Sequence, residues 1–181
     1  MEATLPEPGN NEAASAYSKL AVIRRSFWLS LLSFSPSLLI AVLWVFVRSS
    51  ETSASVTADT AIQLGLLLKF TIGVAFGPFL ETATFHLLVI ELLFRFGLQR
   101  AVHVVPIAAI PFIAAHLTNS YGMASAISVI PGGFVLAYCY WYWRQRAWSW
   151  RVAFAATWLT HGLHNFYFWL LNFVPASLIF G

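Results

Sequence analysis

The chain has 181 residues, of which 59% are hydrophobic and only 9% charged, with a formal net charge of +3. A soluble domain carries about a quarter charged residues, so this composition excludes a water-covered globule and predicts an all-α, polytopic membrane protein whose first partner is the lipid bilayer of the cell membrane. The charge forms no dense basic block, which excludes a nucleic-acid partner, and the single Cys139 excludes an internal disulfide or a cysteine zinc cluster.

Residues 1–26, MEATLPEPGNNEAASAYSKLAVIRRS, are polar, contain prolines and lack the early apolar region of a secretory signal. They are expected to form a disordered tail, ahead of a transmembrane helical domain over 27–181. Phe27 to Val47 is an uninterrupted apolar run, about 30 Å long as a helix, enough for one bilayer core. A polar loop, SSETSASVTADT, covers 49–60. Ala61 to Gly97 is too long for one crossing. Gly77-Pro78 is expected to divide it into helices over 61–76 and 78–97, because proline lacks an N–H and disfavours helix in the residue before it. The basic turn LQRAVH leads to a fourth span from Val104 to Ser120, bent at Pro106 and Pro111. Gly122 to Trp143 is the fifth, RQRAWSWR at 144–151 reads as an interfacial loop, and Val152 to Leu171 is the sixth, ending before Pro175. With six spans both chain ends share one face. Basic residues then count six against three and place the ends outside, whereas the three ahead of the first span place them inside.

Ionisable groups inside apolar helices are costly and mark candidate sites. Glu91 and Arg95 are spaced i,i+4 near a helix end and read as a structural ion pair. Glu81 and His86 are five residues apart, roughly 140° around the helix, so Glu81 faces another helix. A short turn makes the third and fourth helices antiparallel neighbours, which brings Glu81 and His116 within about 6 Å of the same depth and leaves Glu91 some 9 Å off on the other side. His161 and Asn165 share one face of the sixth helix, in the half where Glu81 lies. A carboxylate, two imidazoles and a carboxamide thus converge in one half of the bundle. Interhelical hydrogen bonding that holds the bundle together is the bland alternative. A proton relay or transporter is another, although no internal repeat is present.

In the order ETATFH (81–86), FIAAH (112–116) and HGLHN (161–165), these residues resemble the CPBP family, also called Abi or CAAX-protease-like, of intramembrane glutamic endopeptidases. The family motifs are E-E-x-x-x-R, F-x-x-x-H and H-x-x-x-N, and the resemblance covers about Phe70 to Leu171. The second and third motifs match in full. In the first, Thr82 stands for the second glutamate and His86 for the arginine. Losing both together avoids leaving one buried charge unpaired. IELLFR at 90–95 offers another E-x-x-x-R register but shortens the gap to His116. The resemblance implies hydrolysis of a membrane-associated peptide or protein substrate, such as a prenylated CAAX protein; no cofactor is expected, and no metal either, since one Glu and several His could ligate zinc but the histidines form no recognisable ligand set. Glu81 would be the base, His116 would hold the attacking water, and His161 and Asn165 would donate to the oxyanion. Thr82, His86, Phe112 and His164 would support them. No H-E-x-x-H zinc pair is present. The altered first motif leaves open a member without activity, acting as a membrane scaffold or immunity protein.

Overall fold

The computed structural model describes residues 19–48, 68, 70–119, 123–147 and 149–173. The expected disorder of 1–18, the loop 49–60, most of the expected helix 61–76 and the chain end after Phe173 lie outside the described residues. Within them the protein is all-α, with five helices: α1 (Lys19–Arg48), α2 (Thr71–Arg95), α3 (Ala101–Asn119), α4 (Met123–Ala147) and α5 (Trp150–Phe173).

α1 starts at Lys19 rather than Phe27, so residues 19–26 belong to a helix and not to a tail. Its buried face is Ser26, Leu29, Ser30, Ser33 and Ser37, repeating every three or four residues. Small side chains let helix backbones approach closely and leave hydroxyls to bond across the gap. Ser26 Oγ donates to the Ala156 carbonyl at 3.2 Å, and the Arg25 guanidinium lies 3.8 Å from the Tyr142 ring centroid. These contacts carry the helix beyond its apolar run.

The expected break at Gly77-Pro78 does not occur; a single helix runs through it from Thr71 to Arg95. From Thr71 to Phe76 the helix widens to a π pattern, in which Gly77 N–H reaches back five residues to the Ile72 carbonyl. The next donor in that register would be residue 78, a proline with no N–H. The carbonyl it leaves, Gly73 O, accepts from Asn165 Nδ2 on α5 at 2.8 Å instead. A second π segment covers Thr82–Leu87. Proline in a helix is tolerated when a neighbouring helix satisfies the freed backbone group. α2 ends on Gly97, at φ 80°, with Leu98 N–H bonded to Leu93 O and Gly97 N–H to Phe94 O, both at 3.0 Å. By length and composition α2 is the one helix among the described residues clearly able to cross a membrane, and Ala101–Leu117 is a shorter apolar helix.

α4 is central, packed by α1, α3 and α5, while α2 lies against α5 and α3. Tyr140, Trp143 and Ala137 of α4 cluster with Val104, Ala108 and Ala109 of α3, Ala153 and Ala156 of α5, and Ile90 of α2 in the core. Outside it, Trp28, Leu88, Ile110, Phe134 and Leu170 leave every helix with an exposed apolar side chain.

Glu91 corrects a second expectation. Its partner is Arg144 of α4, not Arg95: Nε donates to Oε1 at 2.7 Å and Nη2 to Oε2 at 3.3 Å, with Tyr140 OH adding a bond to Oε1 at 3.0 Å. An arginine reaching across helices meets the carboxylate in a two-pronged geometry, while Arg95 sits exposed in the last turn. Glu91→Gln is expected to cost about 1 kcal/mol of stability, the value of a partly screened charged bond, read as a lower melting temperature in detergent.

Candidate active site

Three helices converge on one carboxylate oxygen. Glu81 Oε2 lies 3.4 Å from His161 Nε2 on α5 and 3.7 Å from His116 Nε2 on α3. The Glu81 and His116 side chains are 31% and 30% exposed, whereas that of His161 is 3% exposed. The cluster is therefore closed on the α5 side and accessible at Glu81 and His116.

His116 Nδ1 bonds the Phe112 carbonyl at 2.9 Å. A carbonyl only accepts, so Nδ1 carries the hydrogen, and in the neutral ring Nε2 presents a lone pair toward Glu81. The F-x-x-x-H spacing thus orients the imidazole through the backbone of its own first residue. The Phe112 ring, buried in the core, has its centroid 4.3 Å from the His116 ring, 5.3 Å from His86 and 5.5 Å from His161. One aromatic ring spaces all three imidazoles.

Gly162 lets His161 come this close. A Cβ at Gly162 would sit 2.8 Å from the Val74 carbonyl, a backbone atom that cannot swing aside. Gly162→Ala is expected to push α5 away from α2, cost about 1–3 kcal/mol, and lower activity by shifting the neighbouring His161. Thermal unfolding in detergent checks the first effect.

The other expected residues go elsewhere. Thr82 and His86 are fully buried, and neither Thr82 Oγ1 nor either His86 ring nitrogen has a hydrogen-bond partner. His164 turns to α1, where its Nδ1 meets Ser33 Oγ at 2.9 Å. Asn165 is expected to face the oxyanion, but its amide is engaged by Gly73 O, because Pro78 leaves that carbonyl without a backbone donor. Trp158 Nε1 similarly donates to Ala75 O at 2.9 Å. Sequence reasoning missed Trp158, Gly162 and Ser33. The signals were present: Trp158 falls on the His161–Asn165 face at helical spacing, and serines recur every three or four residues in α1.

Chemically, a carboxylate oxygen and an imidazole lone pair 3.7 Å apart can accept the two hydrogens of one water molecule and leave its oxygen lone pairs directed outward. Among the described residues, no group of three His, Cys, Asp or Glu side chains is arranged to hold a metal ion.

Neither a curated protein nor a solved structure matches the chain. The family described as Type II CAAX prenyl endopeptidase Rce1-like matches residues 63–167, a stretch holding Glu81, His116, His161 and Asn165, and the chain belongs to that family.

Proposed function

We propose that the protein is a multi-pass intramembrane endopeptidase in which Glu81 takes a proton from water as that water attacks a peptide carbonyl. The observation that carries this reading is the approach of two imidazoles, from two other helices, to one Glu81 oxygen. Water between Glu81 and His116 Nε2 is aligned by both acceptors. Its oxygen adds to the carbonyl carbon, one proton passes to Glu81, and Glu81 returns it to the departing amine as the C–N bond breaks. His161 Nε2, 3.4 Å from the same Glu81 oxygen, donates to the developing oxyanion, a contribution of about 3 kcal/mol for one well-placed donor. Asn165 is a positioning residue in this scheme, since it holds the π segment of α2 through Gly73 O.

Multi-pass placement in the membrane is supported by the apolar side chains that every described helix exposes. Large apolar side chains exposed on every helix suit a lipid surround better than water. The substrate class is a membrane-associated peptide, with prenylated C-terminal segments suggested by the family name.

The two intramembrane glutamates provide the test. Purified protein in detergent micelles is mixed with a quenched fluorogenic farnesyl-peptide ending in a CAAX sequence. Glu81→Gln is expected to abolish cleavage at unchanged membrane abundance, while Glu91→Gln cleaves like the wild type. Cleavage lost with Glu91→Gln and kept with Glu81→Gln would move the base to Glu91. Equal signals from wild type and Glu81→Gln, including none from either, overturn the peptidase reading in favour of a non-catalytic membrane protein.

A further inference from the structure

Four buried side-chain atoms beside the candidate site have no hydrogen-bond partner among the described residues: Thr82 Oγ1, both ring nitrogens of His86, and His161 Nδ1. Thr82 and His86 are fully buried and His161 almost so. Every other buried serine or threonine hydroxyl among the described residues is bonded. Ser26, Thr157 and Thr160 donate to carbonyls of α5, Ser30 and Ser37 to carbonyls of α1, and Ser33 meets His164. Thr82 differs because it stands where α2 passes from α to π turns. Its N–H is shared by the Pro78 and Phe79 carbonyls, and its hydroxyl bonds neither. Buried polar atoms almost always find a partner, and water supplies it where the protein does not.

Thr82 and His86 are four residues apart and share one face of α2. Through this segment the turns are wide, with Leu88 N–H reaching back five residues to Ala83 O. Glu81 and His86, five residues apart, are therefore about one such turn apart, not the roughly 140° of an α-helix. The His86 and His161 ring centroids lie 5.3 and 5.5 Å from that of Phe112, and Glu81 Oε2, on the residue before Thr82, lies 3.4 Å from His161 Nε2. Thr82, His86 and His161 thus border one buried region, away from the accessible groups Glu81 and His116. The Glu81 carboxylate only accepts, so the hydrogen of the neutral His161 ring sits on Nε2, and Nδ1 presents a lone pair. A buried lone pair needs a donor. Thr82 O–H and a His86 N–H are donors on the facing helix, and neither reaches Nδ1 directly.

We propose that Thr82 and His86 hold a buried water molecule against His161 Nδ1, and that through it they act as positioning residues for the oxyanion step. The second half rests on the intramembrane peptidase reading; the water site does not. Such a water accepts from Thr82 Oγ1–H and donates to His161 Nδ1 and to one His86 nitrogen, within the two to four bonds that a buried water makes. The other His86 nitrogen keeps its hydrogen and takes a second water. Held in this way, His161 keeps its hydrogen on Nε2, where it faces the Glu81 oxygen and the carbonyl under attack. Without a donor at Nδ1 the ring can adopt the other tautomer, and a bare Nε2 repels an oxyanion instead of bonding it. This water is distinct from the attacking one, which lies between Glu81 and His116. Thr82 and His86 are also the two positions at which the first motif departs from E-E-x-x-x-R. Two neutral groups, each able to donate and to accept, stand there in place of a carboxylate and a guanidinium.

Thr82→Val keeps the shape of the side chain and removes its hydroxyl, so it tests both halves in the full chain in detergent micelles. A hydroxyl that holds water leaves that water short of a donor when it is removed, and a lower melting temperature is expected. Melting at or above the wild-type temperature would mean that Oγ1 bonds nothing, and overturns the water site. On the quenched farnesyl-peptide, Thr82→Val is expected to lower kcat by about 10–100-fold, as when a group that orients a working imidazole is lost. KM should not change, because Thr82 is buried away from the peptide. Thr82→Ser keeps the hydroxyl and is expected to recover most of the loss. Nitrogen-15 NMR of histidine-labelled protein reads the tautomer without cleavage, with His161→Gln assigning the signal. Hydrogen on Nε2 is expected in the wild type, and a mixture of tautomers in Thr82→Val. Wild-type kcat in Thr82→Val, or hydrogen on Nδ1 in the wild type, overturns the positioning role. A wild type that cleaves nothing defeats the peptidase reading, and the positioning role with it, while the melting temperature still decides the water site.

Discussion

Glu81→Gln and His116→Ala, combined in one chain, are expected to lose no more cleavage than the more damaging of the two alone. Each single change should lower kcat/KM by about 10²–10⁴-fold, the range for a general base and its partner. The reason for non-additivity is geometric: the two side chains are 3.7 Å apart, and in the proposed mechanism they hold the same water. Once either acceptor is gone that water is no longer aligned, and removing the second takes nothing further. Groups that act as a unit behave this way in kinetics. Stability should move in the other direction. Replacing a partly buried carboxylate by a neutral amide of the same shape removes a desolvation cost, so Glu81→Gln should melt at the wild-type temperature or above. Kinetics on the quenched peptide and thermal unfolding in detergent, both at matched abundance, decide it. Losses that multiply in the double variant would show that the two residues act in separate steps, and the shared-water mechanism would fall.

Phe112→Ala carries the largest expected loss of stability, about 3–5 kcal/mol, as for a fully packed aromatic cut to a methyl. Its ring is almost fully buried and contacts the rings of His86, His116 and His161. It is packed from α4 as well, since a Cβ at Gly133 would come within 3.1 Å of Phe112 Cδ1. The cavity left would lie between the imidazoles that face Glu81, so the protein that still folds should also lose activity. Phe112→Leu keeps most of the volume and should retain more of both. A Phe112→Ala variant that melts like the wild type and keeps its kcat would mean that the ring neither fills the core nor spaces the histidines.

Several properties were legible in the sequence because they depend only on neighbours along the chain. Composition demands helices, since lipid offers no partner to a backbone N–H or carbonyl and a helix satisfies its own. Glu81 and His116 lie at compatible depth because a short turn and a fixed rise per residue set both, whatever the rotation of the helices. The Phe112–His116 spacing orients the imidazole within a single turn of helix. Where the expectation failed, the deciding atom lay on another helix. Pro78 was read as a break because proline lacks an N–H and disfavours helix in the residue before it, yet Asn165, 92 residues from Gly73, serves the carbonyl that the proline leaves. Glu91 was paired with Arg95 by spacing, but Arg144, 53 residues on, offers two donors to its carboxylate. His164 was grouped with the site through its motif, and Ser33 of α1 holds it elsewhere. Chain-neighbour rules fix depth along a helix axis. Rotation about that axis, and with it the partner each polar group finds, is set by how small residues such as Gly162 and the α1 serines let the helices close on one another, and that is decided only when the bundle packs.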